Sequence, residues 1–303
     1  MVNTVSETNE TAGKIAITGS TGHLGRLVVD EVLRLGVPAE RVVAYARDLG
    51  KATDLIAKGV EVRNADYTKP ESLEAALEGV DKLLLISSNE VGQRYAQHKN
   101  VIEAAKKAGV GFIAYTSLLK ADTAEMALAE EHRATEDLIR ASGIPYAFLR
   151  NGWYIENYTE NLGPVLEHGT VFGSAGDGKV SAATRADYAA SAAVVLTTEG
   201  QENKTYELGG DNAFTLAELA DAVGAAVGKS ISYKDLPETD FAKALTSAGL
   251  PEAYANVLAD SDRGIQRGEL YTESDDLRRL IGRPTTPLEA AVGQYGRTSA
   301  AAK

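Results

Sequence analysis

Near the start of the chain, a run of eight residues has the glycine spacing that lets bare backbone bind an anion. The run consists of Thr18, Gly19, Ser20, Thr21, Gly22, His23, Leu24 and Gly25. It directly follows an apolar segment and opens an amphipathic helical pattern, so it is predicted to join a strand to a helix. In that context Gly19 permits a tight turn, Gly22 lets the backbone approach a pyrophosphate, and Gly25 lets the helix pack against the strand. N–H groups at the helix start then hold a dinucleotide by its pyrophosphate.

The end of the second predicted strand indicates which dinucleotide binds. In NAD-specific proteins an acidic side chain usually stands there and meets the adenosine 2′-hydroxyl. Here the strand runs into Arg47 and then Asp48. A guanidinium pairs its planar fork with phosphate oxygens, so Arg47 favours a 2′-phosphate and therefore NADP(H) as the cofactor. Asp48 favours the opposite choice, and the alternative that the two charges only neutralise each other stays open.

The elements that position these residues follow from the apolar pattern. Six short apolar runs occupy 14–18, 41–46, 60–64, 82–87, 112–116 and 146–150. Helical patterns lie between them at 24–35, 51–58, 72–77, 93–108 and 130–141. Short apolar runs that alternate with helices are typical of βαβ units, so the fold class is α/β with a Rossmann-type, doubly wound parallel sheet.

The rhythm loosens after residue 151, where a smaller C-terminal α/β lobe is expected. Strand-like pieces lie at 179–183, 205–208 and 230–233, and Thr215 with Glu218 has the spacing of a capping box. The predicted organisation is a disordered leader at 1–13, an NADP(H)-binding Rossmann domain at 14–151, a lobe at 152–297 and a tail at 298–303. The lobe is expected to return elements to the main sheet and to cover a substrate cleft.

Composition excludes several classes of function. The 303 residues carry a net charge of −12, which disfavours nucleic acid as a partner, and they include no cysteine for a thiolate nucleophile or a disulfide. No apolar stretch approaches the roughly 20 residues that cross a bilayer, and the first residues lack the order of a secretory signal. The four histidines lack metal-ligand spacing. We therefore expect a cytoplasmic protein with no metal and no membrane partner, and a homodimer is a candidate assembly.

Beyond the glycine run, longer motifs carry a family resemblance. The run resembles the nucleotide loop of the atypical short-chain dehydrogenase/reductases, specifically their NmrA-like branch. The motifs at 83–88, 112–117, 149–158, 175–179, 183–188 and 280–286 look like those of the bacterial NADPH:quinone oxidoreductases of type 2. Triphenylmethane dye reductases are close relatives in this branch. The resemblance covers roughly residues 14–290 and implies a Rossmann domain, a small C-terminal lobe and NADPH in the cleft.

The resemblance also implies roles for single residues. Residues 19–25 match the pyrophosphate loop and Arg47 the contact to the 2′-phosphate. Ser87 and Ser88, after the fourth strand, would line the cofactor. Residues 149–152, together with Tyr115, Thr116 and Ser117, would face the nicotinamide side. Strand ends are the expected place, because ligands of open parallel sheets bind beyond the carboxyl ends of the strands.

The usual proton donor of the short-chain dehydrogenases is missing from its expected place. Tyr95 and Lys99 have the Tyr-x-x-x-Lys spacing, but they stand on the helix after the fourth strand, one unit too early. On the helix after the fifth strand, the resemblance to the family places Leu128 in the tyrosine position and His132 in the lysine position. His132 is thus a candidate to bind the nicotinamide ribose or to act as an acid. A packed surface histidine is the alternative.

Without that donor the chain suits electron acceptors that need little acid assistance. The prediction is an NADPH-dependent oxidoreductase that transfers hydride to quinones or similar conjugated electrophiles, with small molecules as its partners. Asn151 is a candidate to hydrogen-bond a developing oxyanion, and Trp153 and Tyr154 a candidate aromatic wall for a flat acceptor. Turn capping for Asn151 and core packing for Trp153 are the alternatives. An NmrA-like sensor of the NAD(P) state and a carbonyl, imine or dye reductase are the competing functions.

Overall fold

Seven parallel strands form the main sheet in the computed structural model of the protein, which describes residues 13–160 and 162–293. The described residues form nine strands in all: β1 (Lys14–Ile17), β2 (Val42–Ala46), β3 (Glu61–Asn64), β4 (Val80–Leu85), β5 (Phe112–Leu118), β6 (Tyr146–Asn151), β7 (Thr170–Gly173), β8 (Lys204–Leu208) and β9 (Ser232–Asp235). The sheet order is β3-β2-β1-β4-β5-β6-β8, and β7 pairs with β9 in a separate parallel ribbon. From β1, strands β2 and β3 are added on one side of the sheet and β4, β5, β6 and β8 on the other. At this change of side a crevice opens beyond the ends of β1 and β4.

Helices cover both faces of this sheet. They are α1 (His23–Arg34), α2 (Thr53–Ala57), α3 (Pro70–Ala76), α4 (Arg94–Ala108), α5 (Ala127–Ser142), α6 (Glu156–Thr159), α7 (Gly163–His168), α8 (Arg185–Thr197), α9 (Leu216–Val227), α10 (Glu238–Ser247), α11 (Glu252–Gln266) and α12 (Asp276–Ile281). Helices α1, α8 and α12 share one apolar core with Ile17, and α3, α4 and α5 share another with Ala16. Neighbouring residues of β1 therefore feed opposite cores, which is why its apolar run is continuous rather than alternating. The predicted doubly wound α/β fold is confirmed.

The C-terminal half contributes to the main sheet as well as to a core of its own. Its strand β8 lies parallel to β6, with Ala147 opposite Lys204 and Asn151 opposite Leu208. A third apolar core joins α9, α11 and the β7–β9 ribbon. Where the lobe begins stays a prediction, and the leader up to residue 12, the tail and residues 294–297 lie outside the described residues.

Of the C-terminal element predictions, one is wrong. Thr215 and Glu218 form the predicted capping box, and β8 and β9 overlap two of the predicted strand-like pieces. The third piece, 179–183, makes only isolated bridges. Its N–H groups change partners from residue to residue: that of Val180 donates to Phe214 and that of Ser181 to Leu270. A ladder needs one continuous partner, so no strand forms there.

Among the described residues, no helix combines the length and apolarity needed to cross a bilayer.

Candidate active site

A cleft of about 400 Å³ opens beyond the carboxyl ends of β1, β2, β3 and β4. It lies where open parallel sheets bind their ligands. It is lined by Gly19, Thr21, Gly22, His23, Leu24, Gly25, Tyr45, Arg47, Lys51, Ala65, Asp66, Tyr67, Thr68, Ile86, Ser87, Ser88, Asn89, Glu90 and Gln97. Nine of the residues predicted to bind the cofactor therefore meet in one cavity: six in the glycine run, then Arg47, Ser87 and Ser88.

The glycine run forms a tight turn into α1 whose backbone is open to the cleft. Gly19 has a φ of +58°, a conformation that favours glycine, and its carbonyl oxygen accepts the N–H of Gly22 at 2.9 Å. The N–H groups of Thr21, His23, Leu24 and Gly25 find no acceptor within the part of the chain that the structure describes. No side chain caps the helix either. Free amides at the positive end of a twelve-residue helix are suited to bind an anion.

Ser20 differs from its neighbours in the run because its side chain is turned away from the cleft. It is fully buried, donates to the carbonyl oxygen of Ile17 at 2.5 Å and accepts the N–H of Tyr45 at 3.2 Å. These bonds tie the turn to β1 and β2. In this structure Ser20 shapes the loop and presents no hydroxyl to a ligand.

Arg47 stands at the other end of the cleft with its guanidinium largely exposed. Its Nη1 lies 3.0 Å from Oε1 of Glu90. The carboxylate of Asp48 is engaged elsewhere, because it caps the following turn by accepting the N–H of Gly50 at 2.9 Å. The alternative that Arg47 and Asp48 neutralise each other is therefore not what the structure shows.

The segment that carries Ser87 and Ser88 is fixed from below by buried side chains. The N–H of Ser87 donates to Oγ1 of Thr116 at 2.8 Å, and the carbonyl oxygen of Ser88 accepts Nε of Arg94 at 2.7 Å. The N–H of Ser88 donates to Nε2 of His98 at 3.0 Å, which makes that nitrogen an acceptor. Burial lowers the pKa of His98 to about 3, so this imidazole is neutral at physiological pH.

The residues predicted for the nicotinamide side form a buried layer and are not among those lining the cleft. The hydroxyl of Tyr115 lies 2.8 Å from Nδ1 of His132, and both side chains are buried. Ser117 donates to Oε1 of Glu136 at 2.7 Å. Burial lowers the pKa of His132 well below its usual value, with the nearby charge of Arg94 adding to the shift. A neutral imidazole suits a hydrogen-bonding role for His132 better than a role as an acid.

The residues predicted to contact the acceptor lie at and after the end of β6. Asn151 is buried, and its Oδ1 has no hydrogen-bond partner among the described residues. Trp153 packs against the core of the C-terminal lobe. Tyr154 stacks edge-on against Tyr188 at 5.4 Å between ring centroids, and the guanidinium of Arg185 lies 5.3 Å from the centroid of its ring. Contacts of Asn151, Trp153 and Tyr154 with the acceptor, and of His132 with the cofactor, remain predictions.

The lining residues for which the sequence indicated no contact to the cofactor include Lys51, Glu90 and Gln97. Lys51 stands four residues after Arg47 and could have indicated a second cation. Tyr67 donates its hydroxyl to the carbonyl oxygen of Ile86 at 2.9 Å, which joins the segments after β3 and β4. No local pattern marks Glu90 or Gln97.

The profile of the NmrA-like family matches residues 11–289, which is most of the chain. The chain belongs to the NmrA-like family. The family resemblance found in the sequence motifs is thereby confirmed. The matched range includes the glycine run, Arg47 and the segment after β4, all of which line the cleft described above.

The relatives and solved structures similar to this chain include quinone oxidoreductases and a dye reductase. Quinone oxidoreductase 2 of Escherichia coli is 54% identical over 278 residues, covering 92% of this chain and 97% of the relative. The crystal structure of an E. coli NADPH-dependent quinone oxidoreductase complexed with NADPH matches with a TM-score of 0.90, covering 92% of this chain and 99% of that one. Triphenylmethane reductase of Citrobacter sp., complexed with NADP(H), is 42% identical with a TM-score of 0.89 and covers 93% and 100%.

Proposed function

We propose that this protein is an NADPH-dependent oxidoreductase that transfers hydride to quinones or similar conjugated electrophiles. The observation that carries the proposal is the pairing of two anion sites in one cleft. Free N–H groups lie at the start of α1, and the exposed guanidinium of Arg47 stands at the end of β2. The similarity to quinone and dye reductases that bind NADPH supports the same conclusion.

The residues present fit NADPH. Its pyrophosphate needs N–H donors and no intervening side chain, and the turn at Gly19 and Gly22 meets both needs. Its 2′-phosphate needs a cation, which Arg47 supplies with Lys51 nearby along the lining. Once bound, NADPH supplies the hydride. The chain supplies the binding energy and the orientation that bring donor and acceptor together.

The groups around the expected acceptor position hold hydrogen bonds rather than move protons. His132 is neutral and bonded to Tyr115, and the helix after β5 carries Leu128 where a catalytic tyrosine would stand. The free Oδ1 of Asn151 can accept a hydrogen bond from a bound ligand, whereas a donor to an oxyanion would have to be its Nδ2. Acceptors whose reduced oxyanion is delocalised suit such a site, because water can protonate them. Quinones have this property.

The test follows NADPH oxidation by absorbance with a panel of quinones, triphenylmethane dyes and ketones. We expect turnover with quinones, and faster turnover with NADPH than with NADH. The Arg47→Ala variant should bind NADPH roughly tenfold or more weakly, because a charge-assisted hydrogen bond contributes about 1.5–3 kcal/mol. Its affinity for NADH should be nearly unchanged. Lys58→Ala, which removes an equally peripheral cation paired with Asp30, is the matched control.

Two results would overturn the proposal. An equal loss of affinity for NADPH and NADH in the Arg47→Ala variant would exclude a contact between Arg47 and the 2′-phosphate. Tight NADPH binding without turnover of any acceptor in the panel would favour the sensor alternative.

A further inference from the structure

The ion pair between Arg47 and Glu90 spans the opening of the cleft at its Arg47 end. Arg47 follows β2 and Glu90 follows β4, and these two strands lie on either side of β1. Their side chains meet at 3.0 Å above the end of β1, and both line the cavity. Among the described lining residues, Arg47 and Lys51 are the cations near the end of β2 that could meet a 2′-phosphate. Of these two, Arg47 is already paired with a carboxylate.

Glu90 is held in place by contacts that do not involve Arg47. Its Oε2 accepts Nε2 of Gln97 at 2.8 Å, and its N–H donates to Oγ of Ser88 at 3.2 Å. The segment beneath it is anchored in turn by Arg94 at the carbonyl oxygen of Ser88. When the guanidinium of Arg47 turns towards another anion, these contacts keep the carboxylate of Glu90 facing the cleft.

We propose that Glu90 is a specificity-determining counter-charge that competes with the 2′-phosphate of NADP(H) for Arg47. This inference rests on the proposed function, because it requires NADP(H) in the cleft. A 2′-phosphate must displace the carboxylate from the guanidinium and then lie near a fixed negative charge, which disfavours it. NADH carries a 2′-hydroxyl at the same place and meets neither penalty. Glu90 therefore reduces the preference for NADPH that Arg47 alone would impose, and it favours release of NADP⁺ after turnover.

Binding measurements on four proteins test this role: wild type, Glu90→Gln, Arg47→Ala and the double variant. Dissociation constants for NADPH and NADH are measured by calorimetry at low and at high salt. Glu90→Gln should bind NADPH about three- to tenfold more tightly and NADH within twofold of wild type, since an exposed charge pair contributes modestly. The gain should shrink at high salt, because screening weakens exposed charges. Glu103→Gln, which removes an exposed carboxylate on α4, is the control for net charge.

The double variant identifies the partner of Glu90. If the carboxylate acts by competing for Arg47, most of the gain should disappear in the Arg47→Ala background. A Glu90→Gln variant that binds NADPH more weakly, or that changes NADPH and NADH alike, overturns the inference. A selective loss of NADPH in Arg47→Ala with no effect of Glu90→Gln overturns the inference alone. Equal loss of both dinucleotides in Arg47→Ala overturns the proposed function itself.

Discussion

Arg150 and Glu136 form a two-pronged ion pair inside the protein: Nε lies 2.9 Å from Oε1 and Nη2 lies 2.8 Å from Oε2. The two side chains are 4% and 1% exposed, so the pair is shielded from water. Ser117 donates to the same Glu136, and Nη1 of Arg150 reaches Glu207 at 2.8 Å. The pair thereby joins α5 to β5, β6 and β8, and it engages two of the residues predicted to face the nicotinamide, Arg150 and Ser117.

Removing one partner of this pair should destabilise the fold strongly. We predict that Arg150→Met lowers the free energy of unfolding by about 3–5 kcal/mol, because it leaves Glu136 buried without its main counter-charge. Urea unfolding followed by circular dichroism measures the change. Arg140→Met is the matched control, since Arg140 bonds the same carboxylate from an exposed position and should cost less than about 1 kcal/mol. Equal costs for the two variants would contradict the role assigned to burial.

A side chain at Gly25 should disrupt the nucleotide loop. A Cβ there would stand 2.2 Å from the carbonyl oxygen of Gly19, so α1 would have to move away from the turn. We predict that Gly25→Ala costs about 1–3 kcal/mol of packing and weakens NADPH binding at least tenfold. Gly293→Ala, where a Cβ meets no atom of the described residues within 4 Å, is the control. Calorimetric titration with NADPH, with thermal melts as a check on folding, decides the matter.

The neutral state of His132 predicts a flat response to pH. Because burial holds the pKa of His132 well below its usual value, the imidazole gains no proton between pH 6 and 8. His132→Gln should therefore lower kcat/KM for NADPH without changing the shape of the pH profile in that range. Tyr115→Phe, which removes only the partner hydroxyl, should cause a smaller loss of a few-fold. An inflection near pH 6.5 that vanishes in His132→Gln would show instead that His132 acts as an acid.

Asn151 should affect the acceptor step more than cofactor binding. We predict that Asn151→Ala lowers kcat with quinones about tenfold to a hundredfold, the order found when one donor to an oxyanion is lost. The dissociation constant of NADPH should stay within twofold, since Asn151 does not line the cleft. Steady-state kinetics with binding titrations separate the two effects, and Asn212→Ala at an exposed position is the control. A loss confined to NADPH affinity would remove Asn151 from the acceptor site.

Asp262 should make stability depend on pH. Burial raises the pKa of this carboxyl to about 7, with the charge of Asp235 adding to the shift and a hydrogen bond from the N–H of Ser174 opposing it. The folded state therefore holds a proton that the unfolded chain releases from about pH 4 upwards, and the fold loses stability as pH rises to about 7. Asp262→Asn should be nearly neutral at pH 4 and stabilising by about 1–3 kcal/mol at pH 8.

Melting temperatures of Asp262→Asn across this pH range, with Asp221→Asn at an exposed position of α9 as control, measure the difference. A stabilisation that is constant with pH would exclude titration of Asp262 as its cause.

The sequence by itself determined the sheet of the first half and the glycine turn that leads into α1. Strands buried on both faces, such as β2 and β5, appear as continuous apolar runs, whereas the half-buried edge strand β3 was recognisable from its place between two helical patterns. The turn at Gly19 and the close contact at Gly25 depend on residues within one short segment, and Arg47 follows β2 directly. Local chemistry of this kind is fully present in a linear sequence.

Only the tertiary structure decided where side chains point and which distant segments meet. Arg47 and Glu90 are 43 residues apart, and His132 reaches Tyr115 across 17 residues that include the turn from β5 into α5. The inward rotation of Ser20 depends on the N–H of Tyr45 in the neighbouring strand. Such contacts result from the packing of elements against one another, and neither residue type nor spacing along the chain carries that information.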